Sequence, residues 1–372
     1  MVRILHVVHA LTRGGGLSNF IMNYYRKMDH TKVQFDFIYF KEVPNDFKDE
    51  ITSLGGRYYK WTEPGMNFKY IKEANEFFDQ HRGEYIAIHC HALFALPLFG
   101  GIAKKHGINH VIAHSHNVGY GENGLVRKVR NFIFVRMCRT LGTEKLACSV
   151  NAAKFMFGDK AYKNGEVIIV ENAVDCEKYF FEESTRDNIR KELNLSNKYV
   201  IGHVGGFAKQ KNHEFLVELF YEFQKNHENS VLLLVGGDGI ASGSTMQTIK
   251  EKISNLGISE KVIFTGIRSD VNSVMMGMDL FVFPSIFEGF GLVLVEAQAS
   301  GLMCLASECI PHDAKCTDNV MFLPLEDKKA WLDSMDLIYN MENKRTIDHG
   351  QFDCYNINYN AKRLEQFYLS LS

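Results

Sequence analysis

The sequence contains no long apolar run. No stretch reaches the ~18 consecutive apolar residues of a membrane-spanning helix, so we expect no transmembrane segment. The first residues, MVRILHVVHALTRGGG, also lack the features of a signal peptide, because their apolar run is short and contains His6 and His9. No small-residue cleavage site follows them. These absences predict a protein that stays in the cytoplasm.

The sequence also lacks cysteine pairs and a strong net charge. Its 8 cysteines are scattered without a C-x-x-C pair, which favours free thiols in a reducing compartment over a disulfide framework. The formal net charge of −2 gives no general attraction to nucleic acid, so we expect no such partner. The composition, 46% apolar and 23% charged residues, is that of a globular protein. The length of 372 residues predicts two domains.

Short apolar segments alternate with longer amphipathic ones along the first half of the chain. RILHVVHA (3–10) predicts a buried strand, and a glycine run leads from it into a predicted helix over 17–28. Ser18 is the predicted N-cap of this helix. The alternation continues to EVIIVENAV (166–174). Buried strands that alternate with helices predict a parallel sheet covered on both faces.

The alternation restarts at KYVIGHVGGF (198–207), which predicts a second sheet of the same kind. The fold class is therefore α/β, with two Rossmann-like domains that face each other across a cleft. We place the N-terminal domain at 1–172 and the second domain at 173–355. The C-terminal helix, about 356–372, is expected to pack back on the first domain. Ligands of parallel sheets bind at the carboxyl ends of the strands.

The segment SIFEGFGLVLVEAQASG (285–301) contains two glutamates, Glu288 and Glu296, among apolar and small residues. Charges are rarely placed in such a segment without a partner. The pattern predicts a strand end, a Gly-Phe-Gly loop and a helix that begins near Leu292, whose N-terminal N–H groups favour an anion such as phosphate. Eight helical residues span about 12 Å, more than the ~5–9.5 Å between glycosidase carboxylates. The pair suits an extended ligand, although a capping Glu288 with a surface Glu296 is the structural alternative.

This segment resembles the motif of two glutamates separated by seven residues in the family four retaining glycosyltransferases, which have the GT-B fold. The resemblance covers nearly the whole chain and is to bacterial exopolysaccharide or capsule members. RILHVVHALTRGGGLSNFIMNYYR, AHSHN, VENAVD and GHVGGFAKQKNH match further family segments in order and at compatible spacing. The resemblance implies transfer of a sugar from a nucleotide diphosphate donor to an acceptor hydroxyl, with retention at the anomeric carbon.

The resemblance also implies roles for matching residues. Glu288 would hold hydroxyls of the donor sugar, and Glu296 would hold the ribose hydroxyls. The N-terminal glycine loop would bring Gly15 and Gly16 near the donor phosphates. The diphosphate would be held by backbone amides around Phe290, Gly291, Leu292 and Val293.

The segment VIFTGIR (262–268) resembles the family segment that meets the nucleobase, usually uracil. The contact would be made by the backbone of Gly266 and Ile267. Arg268 could stack on the base, although a solvated arginine explains this position equally well.

The segment GHVGGFAKQKNH departs from the family at Gly206, where the family usually has an arginine. Lys211 matches the family lysine. A leaving diphosphate gathers negative charge, so paired cations stabilise the transition state. Lys209 either substitutes for the missing arginine or is an ordinary solvated lysine. The departure leaves open a weakened enzyme or a nucleotide-sugar binder without catalysis.

Two H-x-H sequences end predicted strands. VIAHSHN places His114 and His116 on one face of the sheet, and IHCH does the same for His89 and His91. The resemblance implies an active-site histidine at the first of these strand ends, where His116 matches better than His114; a histidine bonded to backbone is the structural alternative. The two pairs could suggest a metal site. No Asp or Glu accompanies them and the family fold typically works without a metal, so we predict none.

The segment NGLVRKVRNFIFVRMCRTLG (123–142) predicts a basic helix without acidic residues. Its cations are Arg127, Lys128, Arg130, Arg136 and Arg139. Such a helix can lie on an anionic membrane surface, whereas an ordinary helix with one packed and one solvated face is the structural alternative. The family often uses this region to approach lipid-linked acceptors, which favours peripheral membrane contact.

Together these features predict a metal-independent hexosyltransferase that uses a UDP-sugar and no other cofactor. A saccharide or lipid-linked saccharide is the expected acceptor, at the inner face of the membrane and in cell-surface polysaccharide synthesis. The resemblance implies that no protein group acts as nucleophile and that the donor phosphate helps to deprotonate the acceptor. Two alternatives stay open: a non-catalytic nucleotide-sugar-binding partner subunit, suggested by Gly206, and a UDP-sugar 2-epimerase, which shares the fold.

Overall fold

A computed structural model describes residues 1–13, 16–64, 68–116, 125–238, 245–341, 345 and 347–372. The chain divides into two compact units. The first unit consists of Met1–Ala173 together with Ile357–Ser372, and the second is Val174–Asn356. Both junctions lie one residue beyond the positions predicted from the sequence.

Each unit is built on a sheet in which all neighbouring strands are parallel. The strands of the first sheet are β1 (Val2–Val7), β2 (Val33–Tyr39), β3 (Arg57–Lys60), β4 (Ala87–Cys90), β5 (His110–Ser115), β6 (Glu144–Ala147) and β7 (Ile168–Ile169). The strands of the second sheet are β8 (Tyr199–Val204), β9 (Ser230–Val235), β10 (Val262–Gly266), β11 (Leu280–Phe283), β12 (Met303–Ser307) and β13 (Val320–Leu323). The orders are β3-β2-β1-β4-β5-β6-β7 and β10-β9-β8-β11-β12-β13.

The inner strands are buried along their whole length because both faces of each sheet are covered. Every residue of β2, β4, β9 and β11 is buried. Strands buried on both faces lose the alternation of polar and apolar residues that half-exposed strands show. At the sheet edge, β3 has exposed residues at alternate positions. The predicted α/β class with two Rossmann-like domains is confirmed.

Helices in the described residues connect the strands. They are α1 (Gly16–Lys27), α2 (Lys48–Ser53), α3 (Lys69–Gln80), α4 (Gly101–Lys105), α5 (Leu125–Leu141), α6 (Val150–Phe157), α7 (Asp159–Lys163), α8 (Glu183–Glu192), α9 (His213–Phe223), α10 (Thr245–Asn255), α11 (Val271–Met276), α12 (Leu292–Ala299), α13 (Lys328–Tyr339) and α14 (Ile357–Leu369). None of these helices combines the length and the apolar character that crossing a bilayer requires.

Each sheet has an apolar core on either side. In the first unit, α1 and α14 cover one face, where Tyr24, Tyr25 and Tyr368 are almost completely buried. The other face carries a separate core that includes Phe78 and Phe99. The C-terminal helix α14 therefore completes the core of the first unit, although it follows the second unit in sequence.

The predicted N-cap at Ser18 is wrong, because α1 already begins at Gly16. The hydroxyl of Ser18 is buried and turns back toward the end of β1 instead. It donates a hydrogen bond to the Ala10 carbonyl at 3.0 Å and accepts one from the Thr12 N–H at 3.2 Å. Ser18 thus fixes the loop that precedes the helix.

Candidate active site

The loop after β11 holds the first glutamate of the predicted pair. The Glu288 side chain is 9% exposed, and its Oε1 accepts a hydrogen bond from Nζ of Lys211 at 2.7 Å. Lys211 ends a short 3-10 helix, Lys209–Lys211, that follows β8. Limited exposure reduces the screening of this ion pair by water. The fold thus brings together a carboxylate and a cation predicted from two separate segments.

Gln210 ties the two loops to each other. Its Nε2 donates to the Phe287 carbonyl at 2.8 Å and to Oε2 of Glu288 at 3.3 Å. Its own carbonyl accepts from the Ile286 N–H at 2.8 Å. These contacts hold the Glu288 carboxylate in a defined orientation. Nothing in the sequence distinguished Gln210 except its place between two lysines.

Helix α12 begins directly after this loop. Its N-cap residue, Gly291, has a φ of 92°, a left-handed conformation that glycine adopts without strain. No side chain of the described residues caps the helix. Leu292 and Val293 in the first turn and Phe290 before it are partly buried. The predicted diphosphate-binding residues therefore lie at a helix N-terminus, where N–H groups and the helix dipole favour an anion.

Glycine turns follow β8, β9 and β10, and backbone hydrogen bonds join them. The Gly205 N–H donates to the Val235 carbonyl at 2.9 Å, and the Gly236 N–H donates to the Gly266 carbonyl at 3.0 Å. Gly236 has a φ of 146°, and a Cβ there would lie 2.1 Å from the Gly205 oxygen. Only glycine fits this position. The turns form one connected backbone layer at the carboxyl ends of the strands.

Gly206 is exposed in the turn after β8. A Cβ at this position would have the Gly237 carbonyl oxygen, 3.6 Å away, as its nearest neighbour. A Cβ therefore fits at this position without strain. Lys209, the predicted substitute for the missing arginine, is also exposed. Packing against the described residues does not require a glycine at position 206.

The second glutamate of the motif, Glu296, lies in α12 and is partly buried. Burial raises the pKa of its carboxyl group to about 7, although a hydrogen bond with Tyr179 and the charge of Lys211 act in the opposite direction. Tyr179 ends the 3-10 helix Cys176–Tyr179. Glu296 is thus within the electrostatic influence of the same lysine that binds Glu288. The role of Tyr179 had no signal in the sequence.

The predicted nucleobase segment ends β10. Gly266 has a φ of 71°, and the Ile267 side chain is 71% exposed. Arg268 is held by two carboxylates instead of extending freely: its guanidinium donates to Asp270 and to Glu192, each at 2.7 Å. An exposed apolar side chain beside a glycine turn is suited to cover one face of a flat ring.

The predicted histidines lie at the end of β5 in the first unit. His114 is 2% exposed and His116 is partly buried, and their rings stack with centroids 4.0 Å apart. His116 shares a hydrogen bond of 2.9 Å with His91, and His114 shares one of 3.0 Å with His89. Burial lowers the pKa of His116 to about 3 and also lowers that of His114. Both rings are therefore neutral at neutral pH.

The histidines have the chemistry of a transition-metal site. Two groups offer nitrogen atoms within 4.8 Å of one another: His6, His89 and His91, and His91, His114 and His116. Imidazole lone pairs lie in the ring plane, and a tetrahedral ion needs its nitrogens at ~2.0–2.1 Å. The rings of His89 and His91 are stacked at 4.1 Å and 20°, so their lone pairs run side by side instead of converging. The absence of a metal from the reaction stays a prediction.

Helix α5 covers most of the predicted basic segment 123–142; residues 123 and 124 and the Arg127 side chain lie outside the described part. Its packed face carries Asn131, Val135 and Cys138. The opposite side exposes Val126 (83%), Val129 (51%), Phe132 (49%) and Ile133 (48%). Lys128, Arg130 and Arg136 are exposed as well. The helix thus presents an apolar stripe with basic neighbours to solvent.

Of the predicted binding residues, Gly15 lies outside the described residues and Gly16 begins α1. Within the second unit, the fold places Lys211, Glu288 and Glu296 near one another and beside the start of α12. The histidines form a separate cluster in the first unit.

Comparisons with known proteins show which family and fold this chain resembles. The family model for "Glycosyl transferases group 1" matches residues 185–347, which contain both glutamates and Lys211. The protein named glycosyltransferase EpsF in Bacillus subtilis (strain 168) is 32% identical over 313 residues, covering 83% of this chain and 79% of the relative. An Escherichia coli UDP-Gal:alpha-D-GlcNAc-diphosphoundecaprenol alpha-1,3-galactosyltransferase is 29% identical over 180 residues, 47% of this chain and 44% of the relative.

Solved structures share the fold over the full length. HepE from Anabaena in complex with UDP superposes with a TM-score of 0.81 at 16% identity, covering 100% of both chains. Sucrose-phosphate synthase from Thermosynechococcus elongatus has a TM-score of 0.75 at 17% identity, covering 100% of this chain and 99% of that one. The neighbours are GT-B glycosyltransferases, so the fold named from the sequence is confirmed. With the family match and the EpsF relative, we conclude that the chain belongs to the group 1 glycosyltransferases.

Proposed function

We propose that this glycosyltransferase moves a hexose from a UDP-sugar to an acceptor hydroxyl with retention at the anomeric carbon. The observation that carries the proposal is the Lys211–Glu288 pair, 2.7 Å apart, beside the uncapped N-terminus of α12. A cation and a helix N-terminus suit a diphosphate, and a carboxylate suits sugar hydroxyls. The groups that suit a diphosphate lie beside the carboxylate that suits sugar hydroxyls, and the diphosphate and the sugar are likewise neighbours in a nucleotide sugar.

The choice of a uridine donor has separate support. The HepE structures contain UDP, UDP with glucose, or UDP-glucose, and the E. coli relative is named for a UDP-galactose donor. In this chain, Ile267 is exposed beside Gly266, where a flat base would rest. Glu296 follows in α12, where a carboxylate suits the ribose hydroxyls. These side chains, together with the named relatives, are the basis of the uridine assignment.

The residues suggest a mechanism in which the protein positions the donor sugar and stabilises the charge of the leaving diphosphate. Lys211 and the N–H groups of Gly291, Leu292 and Val293 would stabilise the charge that gathers on the leaving diphosphate. Glu288 would orient the sugar through its hydroxyls. We assign to His116 a contact with the donor sugar or its developing charge, with His114 as second choice. The donor phosphate would help to deprotonate the acceptor hydroxyl, and no metal or other cofactor takes part.

The acceptor side is proposed to be a saccharide or a lipid-linked saccharide at the inner face of the membrane, in cell-surface polysaccharide synthesis. The exposed apolar stripe of α5 supports membrane contact, since basic residues flank it and can attract anionic lipid. The named acceptors of two relatives are diphospho-undecaprenol lipids. The protein would then work from the cytoplasm without crossing the bilayer.

A non-catalytic binding partner is the second candidate, and Gly206 is the observation that favours it. The turn leaves room for a side chain, yet the chain has none there. A site with Lys211 as its main cation can still bind UDP, whereas the charge of the transition state would be less well stabilised. Such a protein would bind a nucleotide sugar and would not turn it over.

The test is hydrolysis of the donor in the presence of EDTA, with water as the acceptor of the sugar. UDP-glucose, UDP-galactose and UDP-N-acetylglucosamine are incubated with the protein, and the anomer first released is identified by proton NMR. The proposal predicts release of the α-anomer from one of these donors, unchanged by EDTA. A β-anomer would contradict retention, and loss of turnover with EDTA would contradict metal independence. Conversion to a 2-epimer would identify the epimerase alternative.

A further inference from the structure

Buried rings form two hydrogen-bonded rows at the carboxyl ends of β1, β4 and β5. The first row is His116–His91–His6: Nε2 of His116 lies 2.9 Å from Nδ1 of His91, and Nε2 of His91 lies 2.9 Å from Nδ1 of His6. The second row is His114–His89–Tyr368, with spacings of 3.0 Å and 2.7 Å. The two rows stack on each other through the H-x-H pairs.

The geometry within the first row is that of edge-to-edge N–H···N bonds. The His6 and His91 planes differ by 13°, with centroids 5.2 Å apart, and the His91 and His116 planes differ by 34° at 5.1 Å. Burial lowers the pKa of His6 and His116 to about 3 and that of His91 as well, so the three rings are neutral. A neutral imidazole has one N–H donor and one acceptor nitrogen.

These constraints leave two proton arrangements for the first row. Either each ring carries its proton on Nδ1, or each ring carries it on Nε2, because His91 must donate one bond and accept the other. The second arrangement would place an N–H on Nε2 of His6, which is buried and has no partner among the described residues. Buried N–H groups without an acceptor are rare. The first arrangement instead places the remaining N–H on Nδ1 of His116, the partly exposed end of the row, where no acceptor is found among the described residues.

We propose that His91, which is held in turn by His6, is a positioning residue for glycosyl transfer. The Nδ1–H group of His91 donates a hydrogen bond to Nε2 of His116, so the single proton of the neutral His116 ring stays on Nδ1. His116 can then act as a hydrogen-bond donor through this Nδ1–H group. The inference rests on the proposed contact between His116 and the donor. In that contact His116 donates a hydrogen bond to an oxygen of the donor and does not accept a proton from it. His91 itself touches no substrate.

The first test reads the tautomer and needs no substrate. In protein labelled with ¹⁵N-histidine, the ring signals of His116 are assigned through a His116→Ala variant, with EDTA present. We expect the neutral Nδ1–H form at His116 in the wild type, its retention in His91→Gln and its loss in His91→Leu. The glutamine amide can accept from His6 and donate to His116, whereas leucine can do neither. An Nε2–H or charged ring at His116 in the wild type would overturn the inference.

The second test measures turnover of whichever UDP-sugar the wild type accepts in the donor test. We expect His91→Leu to lower kcat by at least about tenfold, since losing a stabilising donor can cost more, while His91→Gln recovers most of the rate. Cys90→Ala on the same strand controls for disturbance of β4 and should stay near wild type. Equal loss in the leucine and glutamine variants would show a packing role and contradict the inference. Full activity in His116→Ala would instead contradict the proposed contact between His116 and the donor, whereas a wild type that turns over no UDP-sugar would contradict the proposed function.

Discussion

At the scale of single residues, the candidate site depends on carboxylates placed around one lysine. Lys211 binds Glu288 directly, and its charge also acts on Glu296. A bound diphosphate would therefore have to share Lys211 with Glu288. The two glutamates therefore differ in environment, because Glu288 pairs with the lysine whereas Glu296 has a raised pKa beside Tyr179.

The first prediction separates catalysis from nucleotide binding at Glu288. Glu288→Gln keeps the size of the side chain but removes its charge, so the sugar hydroxyls and Lys211 both lose an anionic partner. We expect donor turnover to fall by roughly 100-fold, the scale of one lost transition-state contact, while UDP affinity stays within a few fold. Calorimetry and turnover on the same preparation check both. Normal turnover by this variant would contradict the site assignment.

The second prediction uses the pKa of Glu296, which burial raises to about 7. Ribose hydroxyls need the ionised carboxylate as acceptor, so UDP affinity should rise with pH through 7 and be roughly tenfold weaker at pH 6 than at pH 8. The stability of the free protein should move the other way. A raised carboxyl pKa contributes stability that is complete below its ordinary pKa and is lost as pH rises through about 7.

The matched control for this pH dependence is Glu296→Gln, which removes the titrating group and keeps its shape. UDP itself also titrates in this range. The contribution of Glu296 is therefore the difference in the pH dependence of UDP affinity between the wild type and the variant. A pH profile of UDP affinity that is the same in both proteins would show that Glu296 does not contact the nucleotide.

At the scale of structural elements, the glycine turns after β8 and β9 offer a matched pair of positions. A Cβ at Gly236 would lie 2.1 Å from the Gly205 oxygen, whereas a Cβ at Gly206 would lie 3.6 Å from its nearest neighbour, the Gly237 oxygen. Gly236→Ala should therefore destabilise the second unit by about 1–3 kcal/mol through backbone strain and weaken UDP binding. Gly206→Ala should leave stability near wild type. Urea unfolding measures both, and equal effects would contradict this account of the turns.

Helix α5 carries the prediction for the acceptor side. The double variant Val129→Ser, Ile133→Ser removes two exposed apolar side chains and leaves the packed face intact. We expect its partition onto phosphatidylglycerol vesicles to fall by about tenfold, since burying each aliphatic side chain contributes about 1.5–3 kcal/mol when complete. Leu337→Ser, which removes an exposed leucine from α13 (57% exposed), is the control. Binding of the wild type to phosphatidylcholine vesicles as strong as to phosphatidylglycerol vesicles would argue against an anionic lipid surface, and equal binding of the wild type and the double variant to phosphatidylglycerol would argue against contact through α5.

At the scale of the whole molecule, the sequence predicted most of the architecture because buried parallel strands consist of short apolar runs. The strand predicted at 3–10 overlaps β1, and the helix predicted to begin near Leu292 begins there as α12. The edge strand β3, with exposed residues at alternate positions, and the polar helix α8 had no such signal. Ser18 failed as a cap because its hydroxyl is taken by backbone groups at Ala10 and Thr12.

The candidate site could be predicted only in part. The glutamates stood out as charges in a segment of apolar and small residues, whereas Lys211 was identified by the resemblance, which also supplied the roles of all three. Gln210 and Tyr179 could not be found, since their contacts depend on loops that meet only in the folded unit. The histidine rows were visible as two H-x-H pairs, yet the links to His6 and Tyr368 follow from strand register and from the return of α14.

We propose that the second unit holds a working uridine nucleotide site despite Gly206. Calorimetric titration of UDP and GDP, with EDTA present, into the wild type and a Gly206→Arg variant is the decisive measurement. We expect the wild type to bind UDP at micromolar strength and not to bind GDP, because Lys211 and the α12 amides suffice for the diphosphate. Binding of neither nucleotide by the wild type, with UDP binding gained by Gly206→Arg, would contradict it.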